Sequence, residues 1–197
     1  MYNPAPRPST PHVVGIGGTT NANSGTQRIL EVALAEARRA GATTELFCGP
    51  DLARLPLYAP EEQQRTPEQQ AFLDGVRRAD GLLLATPAYH AGISGLVKNA
   101  VDLLEDLRSD SRPYLDGRAV GCIVTAYGWQ GSGTTLTSVR TIVHALRGWP
   151  TPVAVTVNTA EKLFDEQGKL IDTKVQGQLT LLVQQVIDFA RHFSIRV

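Results

Sequence analysis

Leu82-Leu83-Leu84-Ala85 is apolar at every position, and no other stretch constrains the fold as tightly. A strand with one wet face alternates apolar and polar residues. One that is apolar throughout must be covered on both faces, the condition of a central strand in a parallel sheet. Parallel neighbours need crossover connections, and the chain supplies them. Apolar runs predict strands over 13–17, 43–48, 81–86, 118–125 and 153–157. Helical spacing predicts helices over 24–40, 67–79, 93–107, 134–147 and 172–193. Gly41 is placed to close the first helix, Pro67 to open the second, and Gly148 with Pro150 to stop the fourth. Residues 49–66, with Pro50, Pro56 and Pro60, read as a long loop. Five strands separated by helices predict an α/β fold with a doubly wound parallel sheet. Right-handed crossovers bring the loops after the strands to one edge, where ligands of such sheets bind.

Three loops at that edge carry chemistry. The first, 17–27, joins a strand to a helix through Gly17, Gly18, Thr19, Asn21, Ser24, Thr26 and Gln27. Backbone N–H groups at a helix start, with its dipole, favour an anion there, and hydroxyls add donors. The loop has neither the G-x-x-x-x-G-K-[ST] pattern of nucleoside-triphosphate sites nor the G-x-G-x-x-G spacing of dinucleotide sites. It suits a phosphate monoester held without metal; an ordinary strand–helix loop with Ser24 as N-cap accounts for the same residues. The second loop, 86–92, follows the third strand, and the third, 125–133, follows the fourth.

The remaining composition removes other classes. Nineteen basic and nineteen acidic residues cancel without a basic cluster, which argues against nucleic acid as a partner. Cys48 and Cys122 lie far apart in apolar runs and read as buried thiols. His12, His90, His144 and His192 do not fall at metal-ligand spacing. No secretory signal pattern and no bilayer-length apolar run is seen, so a cytoplasmic protein without a membrane partner is expected. Residues 1–11 form a Pro-rich tail, expected to be extended, and 12–197 a single domain.

Residues 86–104, from Thr86-Pro87-Ala88-Tyr89-His90 through Ser94-Gly95 to Leu96-Val97-Lys98-Asn99 and Asp102, resemble the signature of NAD(P)H-dependent FMN reductases. That pattern runs T-P-x-Y, small residues, S-G, then a helix with L-K-N-x-x-D. The first loop is similar to the family's phosphate loop, G-S-x-R-x-x-S-x-N-R. Thr19 and Ser24 fall on its serines, Thr26 on its asparagine, and Asn21 and Gln27 on its two arginines. Leu55-Pro56-Leu57-Tyr58 resembles a further L-P-x-Y stretch. The resemblance spans Val13 to about Ala190 and implies a flavodoxin-like sandwich with a five-stranded sheet of order 2-1-3-4-5.

It further implies FMN and NAD(P)H as cofactors, with hydride passing from the nucleotide to the flavin and then to a second acceptor. Thr19, Asn21, Ser24, Thr26 and Gln27 would hold the phosphate. Pro87, Ala88, Tyr89 and His90 would line the ring, with Tyr89 and His90 N–H groups on the flavin carbonyls; a plain turn with a packed tyrosine is the alternative. Ala126, Tyr127, Gly128 and Gly131 would complete the site. Tyr127 and Trp129 would stack on the ring, line the nicotinamide site, or serve as packing or dimer contacts. No side chain is assigned a catalytic role, and no metal is expected. Arg108, Arg112, Arg118, Arg140 and Arg147 are candidates for a nucleotide 2′-phosphate, or plain surface arginines. The resemblance implies a homodimer or tetramer. The acceptor would be a flavin passed to a partner monooxygenase, or a quinone or azo compound. A flavodoxin-type electron carrier fits less well, because such proteins are strongly acidic.

Overall fold

The computed structural model describes residues 10–21 and 23–193, so most of the expected tail lies outside the described residues. The chain runs β1 (His12–Gly17), α1 (Gly25–Arg39), β2 (Thr43–Phe47), α2 (Gly49–Ala53), α3 (Pro67–Arg78), β3 (Gly81–Tyr89), β4 (Gly92–Ile93) and α4 (Gly95–Asp102). It continues through a 3-10 turn (Leu103–Leu107), β5 (Ala119–Ala126), α5 (Ser132–Ala145), β6 (Trp149–Pro150), β7 (Val155–Asn158) and α6 (Thr173–Phe193).

Strands pair in the order β2-β1-β3-β5, all parallel, and β6 and β7 both pair with the outer side of β5. The fifth position of the expected 2-1-3-4-5 sheet is therefore one strand in two pieces, interrupted where Pro152 removes a backbone donor. The fold is flavodoxin-like, as expected, with the additional short β4 pairing antiparallel to the end of β3.

Alternation along the buried strands sorts residues onto two cores. Val14 and Ile16, Leu82 and Leu84, and Val120, Cys122 and Val124 face α3, α4 and α5. Val13, Leu83, Ala85 and Ile123 face α1 and α6. Burial raises the Cys122 thiol to about 12, so it stays protonated.

Other elements also differ from expectation. The predicted helix 93–107 begins only at Gly95, because Gly92 and Ile93 pair with Tyr89 and Ala88; Ser94 caps it through its hydroxyl on the Val97 N–H (3.3 Å). Its last turn tightens to 3-10 geometry. The predicted loop 49–66 starts with α2, whose Asp51 carboxylate accepts the Cys48 N–H at 3.0 Å. Cys48 itself follows β2 rather than sitting in it, and burial together with Asp51 raises its pKa.

α1 closes as expected: Gly41 has φ +88°, its N–H reaches the Arg38 carbonyl, and the Ala42 N–H reaches the Ala37 carbonyl. This paired closure satisfies two terminal carbonyls. At the same edge Arg118, almost wholly buried, donates to the carbonyls of Ala79 (2.9 Å), Tyr114 (2.9 Å) and Arg77 (3.0 Å). Burial lowers its pKa to about 9, with Arg112 adding to the effect, so it is still charged at neutral pH.

Candidate functional site

The carboxyl ends of β1, β3, β5 and β7 open onto one cleft of about 560 Å3, within the ~300–1,000 Å3 usual for small-molecule sites. Its floor is the β1–α1 loop. Thr19 Oγ1 accepts the Asn21 N–H at 3.2 Å, and Asn21 Oδ1 accepts the Asn23 N–H at 2.9 Å. Ser24 Oγ accepts the Gln27 N–H at 3.2 Å, capping α1. Gly25 and Thr26 are the first residues of the helix, where N–H groups have no partner within the helix itself. Thr26 Oγ1 lies 2.6 Å from Thr125 Oγ1, tying the helix start to the end of β5. The loop is squeezed between neighbours. A Cβ on Gly17, at φ +148°, would collide with the Ala85 carbonyl, and one on Gly49 with the Thr19 carbonyl.

The second wall is the extended end of β3. Pairing of Pro87 with Thr125 carries the strand beyond the predicted Thr86. Thr86 Oγ1 accepts the Ser94 N–H at 3.1 Å, fixing the hairpin to α4. His90 and Ala91 form the two-residue turn, at φ 51° and 61°. Both angles suit a hairpin turn, at about 1 kcal/mol or more for each residue with a Cβ. Gly131 packs against the turn: a Cβ there would lie 3.2 Å from Ala91 Cα.

The third wall is Ala126-Tyr127. Asn158 Oδ1 accepts the Gly128 N–H at 2.8 Å and the Ala160 N–H at 3.1 Å, joining the loops after β5 and β7. Tyr89 and Tyr127 stand on the rim, 57% and 89% exposed, whereas Trp129, also exposed, lines a separate pocket with Thr156 and Asp172. Exposed aromatics beside a cleft are a surface on which planar ligands stack.

Of the residues expected at the site, Thr19, Asn21, Ser24, Thr26, Pro87, Ala88, Tyr89, Ala126 and Tyr127 line the cleft together. Gln27, His90, Gly128 and Gly131 do not. Gln27 donates from Nε2 to Glu31 at 2.9 Å, His90 sits at the hairpin tip, and the two glycines shape the loops behind the lining. Ser24 is an N-cap, so the plainer reading of that residue is also correct.

The sequence reading missed a fourth wall, Thr159 and Glu161 to Phe164, together with Arg28 from α1. The strand order was the available signal, since the loop after the fifth strand emerges at the same edge. None of the five arginines proposed for a nucleotide phosphate lines the cleft. Arg112 and Arg118 are spent on backbone carbonyls at the opposite edge, and Arg140 on those of Thr151 and Pro152. Among the described residues no group of three His, Cys, Asp or Glu gathers to hold a metal, and no helix is long and apolar enough to cross a membrane.

The family model described as NADPH-dependent FMN reductase matches residues 11–162. The chain is 29% identical to a NAD(P)H-dependent FMN reductase of Pseudomonas aeruginosa, over 86% of this chain and 92% of the relative. It is 27% identical to an FMN-dependent NADPH-azoreductase of Staphylococcus aureus, over 89% and 93%. Among solved structures, FerB, a flavoenzyme NAD(P)H:(acceptor) oxidoreductase from Paracoccus denitrificans, superposes with a TM-score of 0.74 at 18% identity, covering 91% of this chain and 99% of that one. The apo form of an NADH:FMN oxidoreductase (EMOB) gives 0.70 at 22% identity, covering 95% and 92%. These structural likenesses show the fold.

Proposed function

This chain belongs to the NADPH-dependent FMN reductase family, and on that footing we propose that it binds FMN in the carboxyl-edge cleft and reduces it with NAD(P)H. The observation that carries the reading is the division of the cleft into two chemistries. At one end lies the start of α1 at Gly25 and Thr26 with the Thr19, Ser24 and Thr26 hydroxyls; at the other lie Pro87, Ala88, Tyr89, Ala126 and Tyr127. A flavin mononucleotide has the same division, a phosphate and a flat ring. The close backbone approaches at Gly17 and Gly49 keep the loop thin where the phosphate end would lie.

FMN, when bound, supplies the two-electron chemistry between a nicotinamide and the final acceptor. The chain's own residues bind and orient. The helix start and hydroxyls hold the phosphate, and Asn21 offers a neutral amide where an arginine would stand. The 86–91 hairpin, fixed by Thr86 and Gly131, offers backbone donors of Tyr89 and His90 along one ring edge, where they favour added negative charge. No side chain needs to transfer a proton for hydride delivery, and none is assigned to do so.

The second acceptor decides the physiological role. We favour supply of reduced flavin to a partner monooxygenase, with the chain acting as a homodimer or tetramer in the cytoplasm. The relative named an azoreductase, and the exposed Tyr89 and Tyr127 lining the cleft, favour reduction of a planar azo or quinone acceptor as the second reading. The deciding experiment is steady-state oxidation of NADPH and NADH with and without FMN, after recording the flavin absorbance of the purified protein. Turnover that rises and saturates with FMN is expected. Bound FMN without oxidation of either nucleotide would shift the reading to an electron carrier; no flavin binding and no turnover would end it.

A further inference from the structure

A phosphate monoester carries between one and two negative charges near neutral pH. The loop that would receive it contributes no cation: its lining side chains are Thr19, Asn21, Asn23, Ser24 and Thr26. Two cationic side chains line the cleft, Arg28 and Lys162. Lys162 is exposed at the mouth, and the neighbouring Glu161 accepts from Asn158 Nδ2 at 2.9 Å.

Arg28 differs from both. It lies four residues after the cap Ser24, one turn into the helix whose first N–H groups form the cleft floor. Its guanidinium carbon rests 3.8 Å from the centre of the Phe164 ring. Phe164 is itself set by a bridge to Leu170, and Gly168 passes close enough that an added Cβ would lie 3.5 Å from Arg28 Nη2. A guanidinium stacked on a ring keeps its in-plane N–H donors free, since the ring engages only its face. No described carboxylate forms an ion pair with it, in contrast to its neighbour Gln27, which is tied to Glu31.

We propose that Arg28, seated on Phe164, is the countercharge for the flavin 5′-phosphate and sets the preference of this site for FMN over riboflavin. The inference rests on the FMN reading above. It assigns phosphate recognition to two elements together: the N–H groups and hydroxyls of the β1–α1 loop, and a cation held by the 159–171 segment.

The test compares equilibrium binding of FMN and riboflavin, followed by flavin fluorescence, for the wild type, Arg28→Gln, Arg28→Lys and Phe164→Leu. Arg28→Gln is expected to weaken FMN about 10- to 100-fold while changing riboflavin less than about twofold. The lysine, which keeps charge but loses the planar seat, is expected in between. Phe164→Leu keeps the cation and removes its ring, so it should lower the FMN-to-riboflavin ratio partway. It serves in place of Arg28→Gln if that variant does not fold. Equal weakening of both flavins would make Arg28 a packing residue and overturn the proposal. So would an unchanged FMN affinity with a raised KM for NADPH, which would assign the charge to the nucleotide. A wild type that binds neither flavin would instead overturn the FMN reading itself.

Discussion

At the amino edge of the sheet Arg118 spends its guanidinium on three backbone carbonyls; at the carboxyl edge Arg28 lays its own on an aromatic face and keeps its donors. The difference follows from helix polarity. Every strand-to-helix crossover starts its helix at the carboxyl edge and returns it to the amino edge, so unpaired N–H groups collect at one end and unpaired carbonyls at the other. Arginines close the carbonyl end: Arg118 and Arg112 on Ala79, and Arg191 on Ala40. The N–H end is left open for an anion. The same residue type is therefore structural at one edge and available at the other.

The largest effect should come from the closed edge. Arg118→Ala removes three hydrogen bonds and empties a buried site, leaving the Ala79 carbonyl to Arg112 alone, and is expected to cost about 3–5 kcal/mol in urea denaturation, with flavin affinity of the folded fraction unchanged. A loss below about 1 kcal/mol would break the contrast. At the open edge, Gly49→Ala drives a methyl into the Thr19 carbonyl. It should weaken FMN by about tenfold or more in a fluorescence titration, the equivalent of a 1.4 kcal/mol displacement of the loop.

Thr26→Val, a near-isosteric change, removes the 2.6 Å contact with Thr125 and leaves that hydroxyl buried and unpaired. About 1–2 kcal/mol of stability should be lost, together with a few-fold loss in FMN affinity, so both readouts move. Arg191→Ala frees the Ala40 carbonyl at the closed edge, a 2.8 Å bond on a partly exposed side chain. About 0.5–1 kcal/mol is expected by thermal melting, without change in flavin binding. If Arg191→Ala altered flavin affinity and Thr26→Val did not, the two edges would not be separable in the way their geometry indicates.

The order and faces of the sheet were legible because local pattern and global fold agree. Leu82 to Ala85 needs cover on both faces wherever it sits, and Gly41 and Ser24 are helix-boundary residues by their own stereochemistry. The motif residues Thr86, Ser94 and Asn99 were also legible, although their work proved structural. Thr86 and Ser94 pin the hairpin to α4, and Asn99 accepts the Tyr58 N–H at 2.8 Å, clamping the 55–58 stretch. Ile93, the second residue of β4, was read as the start of the helix because it fits the apolar spacing of the helix that follows; cross-strand pairing with Ala88 overrides that period.

By itself the sequence determined the α/β alternation, the parallel sheet, and which three loops share an edge, since periodicity, turn chemistry and crossover handedness are local or nearly so. Only the tertiary structure decided which arginine faces the cleft. Arg28 and Arg118 are indistinguishable as letters, and their roles are set by partners distant in the chain. Phe164 seats one; Ala79 and Arg77 consume the other. A charge takes its function from what surrounds it after folding, and no sequence spacing encodes that surrounding.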